Sequence, residues 1–364
     1  MDKTLAIGCL DLLKYCAITR ENTQLQTLAG LFNNLWCNDD RMAPDTLTKD
    51  QVEMEQFTYS GLVALLAQAI ADQAPELLEG ATIADPMRGA LADVGQKQSL
   101  VQRVMERHGP GLLLSVGQYL DTAAETPALT VMRRSATPRV LAEKFMRLER
   151  YYHSSHNTWI ETHSSAFLCA RSSRDCPATA GENCLIAGLL LGLVMAIGAQ
   201  ECRLEIGGKS FRPHNLRDAT FAPETETARC HITWTALNGP SDQVPPTLPG
   251  AGDARLSDRL AALFETDLGR SWKSSDAAKL LALSDRSMQR RLAGESQSYS
   301  RVLRRARMKA ATIYLVETDT SLAEIGYCCG YADQAHFQRD FLRTANVTPR
   351  QFRLVNRDAE GVVR

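Results

Sequence analysis

Near the C-terminal end of the chain the apolar positions recur at helical spacing, and two short stretches repeat one pattern. Met288-Gln289-Arg290 is followed by Leu292 and, 49 positions later, Phe337-Gln338-Arg339 is followed by Phe341. In each, the apolar pair at i and i+4 falls on one helical face, while glutamine and arginine fall on the other. Such a helix docks through the first face and offers amide and guanidinium groups through the second. Those groups match base edges in the DNA major groove, glutamine to adenine and arginine to guanine.

What precedes each stretch is also alike. Helical runs from Ser274 to Leu281 and from Ser321 to Cys329 end at a small residue, Ala282 or Gly330, followed by an apolar plug, Leu283 or Tyr331. A small residue is what a sharp bend between two helices accepts. Ser284 and Asp333 carry short acceptors suited to cap the second helix of each pair. Six steps separate Ala282 from Met288 and seven separate Gly330 from Phe337, so the second turn is expected to be one residue longer. Between the units, Tyr299 to Glu317 has no Pro or Gly, and its apolar positions include Val302, Ala306, Ile313 and Leu315. At about 1.5 Å per residue this segment predicts a strut about 28 Å long. That length suits two helices entering successive major grooves about 34 Å apart. Ser321-Leu322-Ala323-Glu324 has the form of a capping box, and Thr348-Pro349 that of a cap with a first-turn proline.

These residues resemble the C-terminal DNA-binding domain of the AraC/XylS family of bacterial transcription regulators. The resemblance is carried by Ser284-Asp285-Arg286-Ser287-Met288-Gln289-Arg290-Arg291-Leu292, Ala323-Glu324-Ile325-Gly326, Gly330 through Phe341, and Thr348-Pro349-Arg350-Gln351-Phe352-Arg353. It covers roughly the last 95 to 100 residues, and a motif set in this order is specific. Ala282 stands where the family often has Gly, and Gly326 where it usually has Ala, at about 1 kcal/mol of helix propensity. The resemblance implies an all-α C-terminal domain with two helix-turn-helix motifs joined by a long helix. It further implies base reading by Arg286, Gln289 and Arg290 from the first recognition helix, and by Gln334, Gln338 and Arg339 from the second. Ser284, Ser287, Arg291 and His336 are auxiliary contacts in the same reading. Arg304, Arg305 and Arg307 on the strut are weaker phosphate candidates, and Met288, Leu292, Phe337 and Phe341 are core. Because Arg286-Ser287 and Ala335-His336 differ, the two units are expected to read different sequences, making the half-site asymmetric.

Upstream the pattern is mixed. Helical periodicity marks Thr4 to Ala17, Gly61 to Gln73, Gly111 to Ala123 and Arg139 to Tyr151. Alternation marks strands at Thr158 to Thr162, Ala166 to Arg171, Arg203 to Ile206 and His231 to Thr235, so this half is expected to be an α+β domain. Its layout is similar to the arabinose-binding-type sensor domain of one branch of AraC regulators, without a motif that assigns a ligand residue. Cys184 to Ala199 is uncharged and almost wholly apolar, with Gly188 and Gly192 at helix-packing spacing. It is shorter than the about 20 residues a membrane span needs, so a buried helix is expected. Asn238 to Gly252, with Pro240, Pro245, Pro246 and Pro249, predicts an interdomain linker. The expected organisation is therefore a sensing and dimerising domain at 1–237, a linker at 238–252, a DNA-binding domain at 253–357 that opens on Leu256, Leu260 and Leu263, and a tail at 358–364.

Composition sharpens this picture. The overall net charge of −1 hides a C-terminal part from Asp253 that carries 19 Lys and Arg against 14 Asp and Glu, while the rest is net acidic. Arg286 to Lys309 holds eight basic residues with Glu295 as the sole acid, a density that neutralises phosphates and makes binding depend on salt. No clean signal sequence begins the chain, which predicts a cytoplasmic protein. Ten scattered cysteines, among them adjacent Cys328 and Cys329, are expected to be reduced and mostly buried.

Other chemistries fit less well. His153, His156 and His163 with Cys169, Cys176 and Cys184 lack zinc-site spacing, so no metal is expected. Adjacent cysteines make a strained disulfide pair, which favours their reading as small hydrophobes. Gly207-Gly208-Lys209-Ser210 mimics the end of a phosphate loop but lacks the earlier glycine, and a tight hairpin turn explains it better. No catalytic motif is present, and neither enzyme nor cofactor is expected. The reading is a one-component regulator that binds double-stranded promoter or operator DNA, with an N-terminal half sensing a small apolar or amphipathic molecule and forming a homodimer, and with RNA polymerase as a partner. A thiol- or metal-sensing regulator, or an N-terminal protein-interaction platform without ligand, are the alternatives.

Overall fold

The structure, a computed structural model, describes residues 57–80, 92–122, 126–152, 156–173, 176–238 and 255–361. Its N-terminal part runs through β1 (Phe57–Thr58), α1 (Ser60–Gln73), β2 (Ala92–Asp93), α2 (Val94–Arg107), α3 (Pro110–Ser115), α4 (Pro127–Arg133) and α5 (Pro138–Tyr151). It continues with β3 (His156–Thr162), β4 (Ala166–Ser173), α6 (Ala180–Ala196), β5 (Ala199–Gln200), β6 (Arg203–Ile206), β7 (Lys209–Phe211), β8 (Arg229–Thr233) and β9 (Ala236–Leu237). Five of the strands form one antiparallel sheet in the order β3-β4-β8-β6-β7. Alternation along these strands sends Ile160, Phe167, Leu204 and Ile232 into the core and leaves Trp159 and Leu168 on the opposite, open face.

The apolar run becomes α6. Thr179 accepts from the Glu182 amide and Glu182 accepts from the Thr179 amide, closing a full capping box at its start. Gly188 abuts the Leu113 and Leu114 carbonyls, and Gly192 abuts Gly117, so closely that a Cβ at either position would overlap backbone. Neighbouring chain therefore fills the space that the glycines open. Gly117 also explains why the expected helix over Gly111 to Ala123 is instead α3 followed by a 3₁₀ turn, Val116–Tyr119: the close approach sets the backbone there. No helix among the described residues is long and apolar enough to cross a membrane. The expected helix at Thr4 to Ala17 and residues 239–252 of the expected linker lie outside the described residues.

The C-terminal part is helical: α7 (Leu256–Thr266), α8 (Ser274–Leu280), α9 (Asp285–Gly294), α10 (Tyr299–Glu317), α11 (Leu322–Cys328), α12 (Gln334–Ala345) and α13 (Pro349–Gly361). It holds two cores. Leu260, Phe264, Trp272, Met288 and Leu292 pack with Val302 and Ala306 from the start of α10. Ile325, Cys329, Tyr331, Phe337 and Phe341 pack with Met308, Ala311 and Leu315 from its later turns. A strut that lends one end to each core holds the two lobes at a fixed separation. Ile313, one of its apolar positions, is exposed.

α11 faces two ways. While Ile325 joins the second lobe, Ala323, Tyr327 and Cys328 belong to the core of the N-terminal part. Residues 56–364 accordingly make one compact unit.

Candidate nucleic-acid interface

Helices α8 and α9 form one pair and α11 and α12 another, and their turns are built alike. Ala282 and Gly330 both take the left-handed conformation, at φ 57° and 77°. The amides of Leu283 and Tyr331 then reach back five residues, to the carbonyls of Ala278 (2.9 Å) and Gly326 (3.0 Å). Ser284 accepts from the Ser287 amide at 3.2 Å, and Asp333 from the His336 amide at 2.7 Å. Ala332 is the extra residue of the second turn, as the residue count predicts.

Met288, Leu292, Phe337 and Phe341 are fully buried beneath these helices. On the outer faces Arg286, Gln289, Arg290, Arg291, His336, Gln338 and Arg339 are exposed, Ser284 is exposed at the cap, and Ser287 and Gln334 are half-buried. Among the described residues Arg286, Arg290, Arg291 and Arg339 make no ion pair. Gln289 donates to the Asp285 carboxylate at 3.0 Å, which pre-orients its amide. The Ser284 hydroxyl is occupied by its own turn, where it also donates to Ser287 Oγ at 2.9 Å.

The strut arginines differ from these. Arg304 pairs with Asp340 at 3.2 Å, and Arg307 lies over the Tyr331 ring, 5.2 Å from its centroid. Asp340 also takes Arg343 at 2.5 Å and the Tyr331 hydroxyl at 3.0 Å, so it locks α12 to its own turn and to α10. Of the three strut candidates, Arg305 has neither an ion pair nor a ring contact among the described residues. Sequence reasoning passed over Asp340, although its spacing to Arg343 is that of a helical ion pair.

The rear of both pairs is held by the N-terminal part. On α5, Lys144, Arg147 and Tyr151 follow each other at i, i+3 and i+7 and point at the C-terminal helices. Lys144 donates to Asp267 at 2.8 Å and to the Val131 carbonyl at 2.6 Å, and burial pushes its pKa down to about 8. Arg147 donates to the Gly269 carbonyl, to the Tyr327 carbonyl at 3.2 Å and to Ser271 Oγ at 3.4 Å, with its guanidinium over the Tyr327 ring. Tyr151 donates to the Tyr331 carbonyl at 3.1 Å.

Two sequence readings change here. The Ser321 capping box is only half made: Ser321 accepts from the Glu324 amide, but the Glu324 carboxylate accepts from the Ala128 amide at 3.1 Å and caps α4 instead. Burial there raises its pKa to about 7. At Gly326, where the resemblance leads one to expect Ala, a Cβ would come within 3.1 Å of both the Tyr151 hydroxyl and Phe337 Cβ, so a neighbour would have to shift to admit it.

Elsewhere, an open groove of about 830 Å³ crosses the outer face of the sheet, lined among others by Trp159, Glu161, Leu168, Glu205, Lys209 and His231. Gly207 and Gly208 form the two-residue turn between β6 and β7, both at positive φ, as expected of a tight hairpin. His156 faces the Cys176 carbonyl at 2.9 Å, and Cys328 and Cys329 are buried.

A family model described as a helix-turn-helix domain matches residues 277–354. Two relatives come from Escherichia coli. The urease operon transcriptional activator is 34% identical over 107 residues, 29% of this chain and 36% of that protein. The HTH-type transcriptional activator FapR is 30% identical over 99 residues, 27% of this chain and 38% of that protein. The chain thus spans well under half the length of either relative. The crystal structure of the transcriptional regulator CdpR from Pseudomonas aeruginosa covers 82% of this chain and 100% of its own, at 17% identity and a TM-score of 0.33, too loose a fit to carry an argument. Residues 277–354 of this chain thus form a helix-turn-helix domain of the AraC type, the kind carried by these transcriptional activators.

Proposed function

We propose that both helix pairs are helix-turn-helix motifs and that α9 and α12 enter adjacent major-groove segments of one promoter or operator. Arg286, Gln289, Arg290, Gln334, Gln338 and Arg339 read bases, and Ser284, Ser287, Arg291 and His336 supply auxiliary contacts. The observation that carries this reading is the contrast among the arginines. Among the described residues Arg286, Arg290 and Arg339 stand unpaired over fully buried anchors, while Arg147, Arg304 and Arg307 are bound inward. An unpaired guanidinium on a rigid helix is ready to meet guanine without first breaking a bond. The test is selection of a bound duplex from a random pool with the full chain, followed by footprinting. Two protected segments of unlike sequence support the reading, and equal affinity for selected and random duplex overturns it.

The regulator is organised as a sensing and dimerising domain over 1–237, a linker over 238–252, a reader over 253–357 and a tail over 358–364, and it acts on RNA polymerase at the promoter. The N-terminal part answers to a small amphipathic molecule. The sheet-face groove supports this, because it offers apolar Trp159 and Leu168 beside charged Glu161, Glu205 and Lys209. Quenching of Trp159 emission by a metabolite, lost in W159L, tests it.

A thiol-sensing reading has one observation in its favour: Cys169 sits directly opposite Cys230 on β4 and β8. The Cys230 thiol and burial push the Cys169 pKa far up, keeping it protonated and slow to oxidise, so the ligand reading is preferred. Oxidant-dependent loss of two titratable thiols, abolished in C230S, would reverse that preference.

A further inference from the structure

We propose that α5, outside the DNA-binding domain, sets the alignment of the two reading helices, with Arg147 as the positioning residue. This rests on the proposal that α9 and α12 read DNA together.

The argument starts from the guanidinium. Arg147 is 3% exposed, and its donors reach two separate lobes. Gly269 and Ser271 lie in the segment between α7 and α8, which belongs to the first lobe, and Tyr327 lies on α11, which carries the second. One planar fork therefore spans the joint between lobes, a geometry that lysine, with a single nitrogen, does not reproduce. The same joint is close-packed: Gly330 lies against the Leu268 carbonyl with no room for a Cβ. Flanking contacts from the same stretch reinforce each side. Lys144 pairs with Asp267 on the first lobe, and Tyr151 and Ala128 bond Tyr331 and Glu324 on the second.

None of these contacts covers Arg286, Gln289, Arg290, Gln338 or Arg339, which stay exposed. The grip thus leaves the chain free to bind DNA while restricting the angle between its reading heads. The strut α10 fixes the lobes along its length, but one helix resists twist about its own axis poorly at its ends. A brace off the axis supplies what the strut lacks. Binding groups perform only when the parts that carry them are held near the productive geometry.

The experiment compares wild type with R147Q as full-length chains on the selected duplex, on a version with one base pair inserted between the two protected segments, and on random duplex. An insertion displaces the second segment by about 3.4 Å and about 35° around the axis. Wild type is expected to lose about tenfold or more in affinity on insertion, a penalty in the range of a lost base contact. R147Q is expected to lose only about twofold on insertion, to bind the original duplex more weakly than wild type, and to match wild type on random duplex. A merely destabilised protein would lose affinity for every duplex in proportion, leaving the insertion penalty intact.

R147Q with the full insertion penalty overturns the proposal. Should R147Q fail to give a native circular dichroism melt, R147K takes its place, since it keeps the buried charge while a single nitrogen cannot reach both lobes; the same narrowing is expected and its absence is fatal. If wild type does not discriminate selected from random duplex, base reading itself fails. If wild type discriminates and the variants keep the full insertion penalty, Arg147 positioning fails alone.

Discussion

In the first helix pair, α8 buries Ala277 and Ala278 and leaves Leu280 half exposed, whereas its counterpart α11 is buried on every side from Ala323 to Cys328. The first pair is an amphipathic assembly that one lobe completes. The second shares its leading helix with the N-terminal core, so displacing that helix disturbs two cores together. Similar turns and similar reading helices can therefore be coupled very unequally to the rest of a chain. A signal arising in the N-terminal part has a packed route to α12, and it meets the first pair through the segment between α7 and α8, which Lys144, Arg147 and Val131 touch.

The sharpest way to break this contrast is to empty matching positions. F337A should cost about 3–5 kcal/mol and M288A about 2–5 kcal/mol. Hydrogen exchange resolved by peptide should show F337A loosening α4 and α5 as well as α12, and M288A loosening only α7 to α9. Equal spread from both would remove the asymmetry. Next in size is K144M, which leaves the Asp267 carboxylate buried without its cation and should cost about 3 kcal/mol by urea denaturation. D267L added to it should recover much of that loss.

Smaller effects belong to the reading faces. R290A and R339A should each cost about 1–3 kcal/mol and relax preference at one base position, a different one for each. Competition binding with single-base variants of the selected duplex reads this directly. A shared position would mean that the two pairs are not independent readers.

Most local is the pH dependence at Glu324. Burial raises its folded pKa to about 7, from 4.5. Its contribution to stability is thus fully present below about pH 4.5 and is lost as pH rises through about 7. E324Q keeps an acceptor for the Ala128 amide but cannot ionise, so its thermal midpoint should fall less than that of wild type between pH 5 and pH 8. Parallel profiles would show that Glu324 is not buried against α4.

The C-terminal helices were legible because their signals are short-range: a small residue at each turn, a cap after it, and an uninterrupted run that became α10 with the bounds the sequence predicts. The apolar anchors followed from helical period alone. What the sequence hid was the second face of α11. Its apolar residues read as core of one lobe, and nothing local says that they serve two. Lys144, Arg147 and Tyr151 carry no sign of their role in the sequence, since lysine and arginine are so seldom buried. In the N-terminal part α2 and α4 were passed over, although Pro127 is a first-turn proline of the kind used elsewhere to place a helix start. The sheet order was not legible either. β8 inserts between β4 and β6, and such long-range pairing leaves no mark on local periodicity.

The half-made capping box at α11 carries a practical lesson for fragments. Cut before Arg255, the C-terminal part would present Ala323, Tyr327 and Cys328 to solvent as a sticky patch. Glu324, released from Ala128, could swing back to its own helix start and close the box. An excised reader would gain a better cap, lose solubility and shed its brace at once. Its behaviour in a binding assay would describe a different molecule from the intact chain.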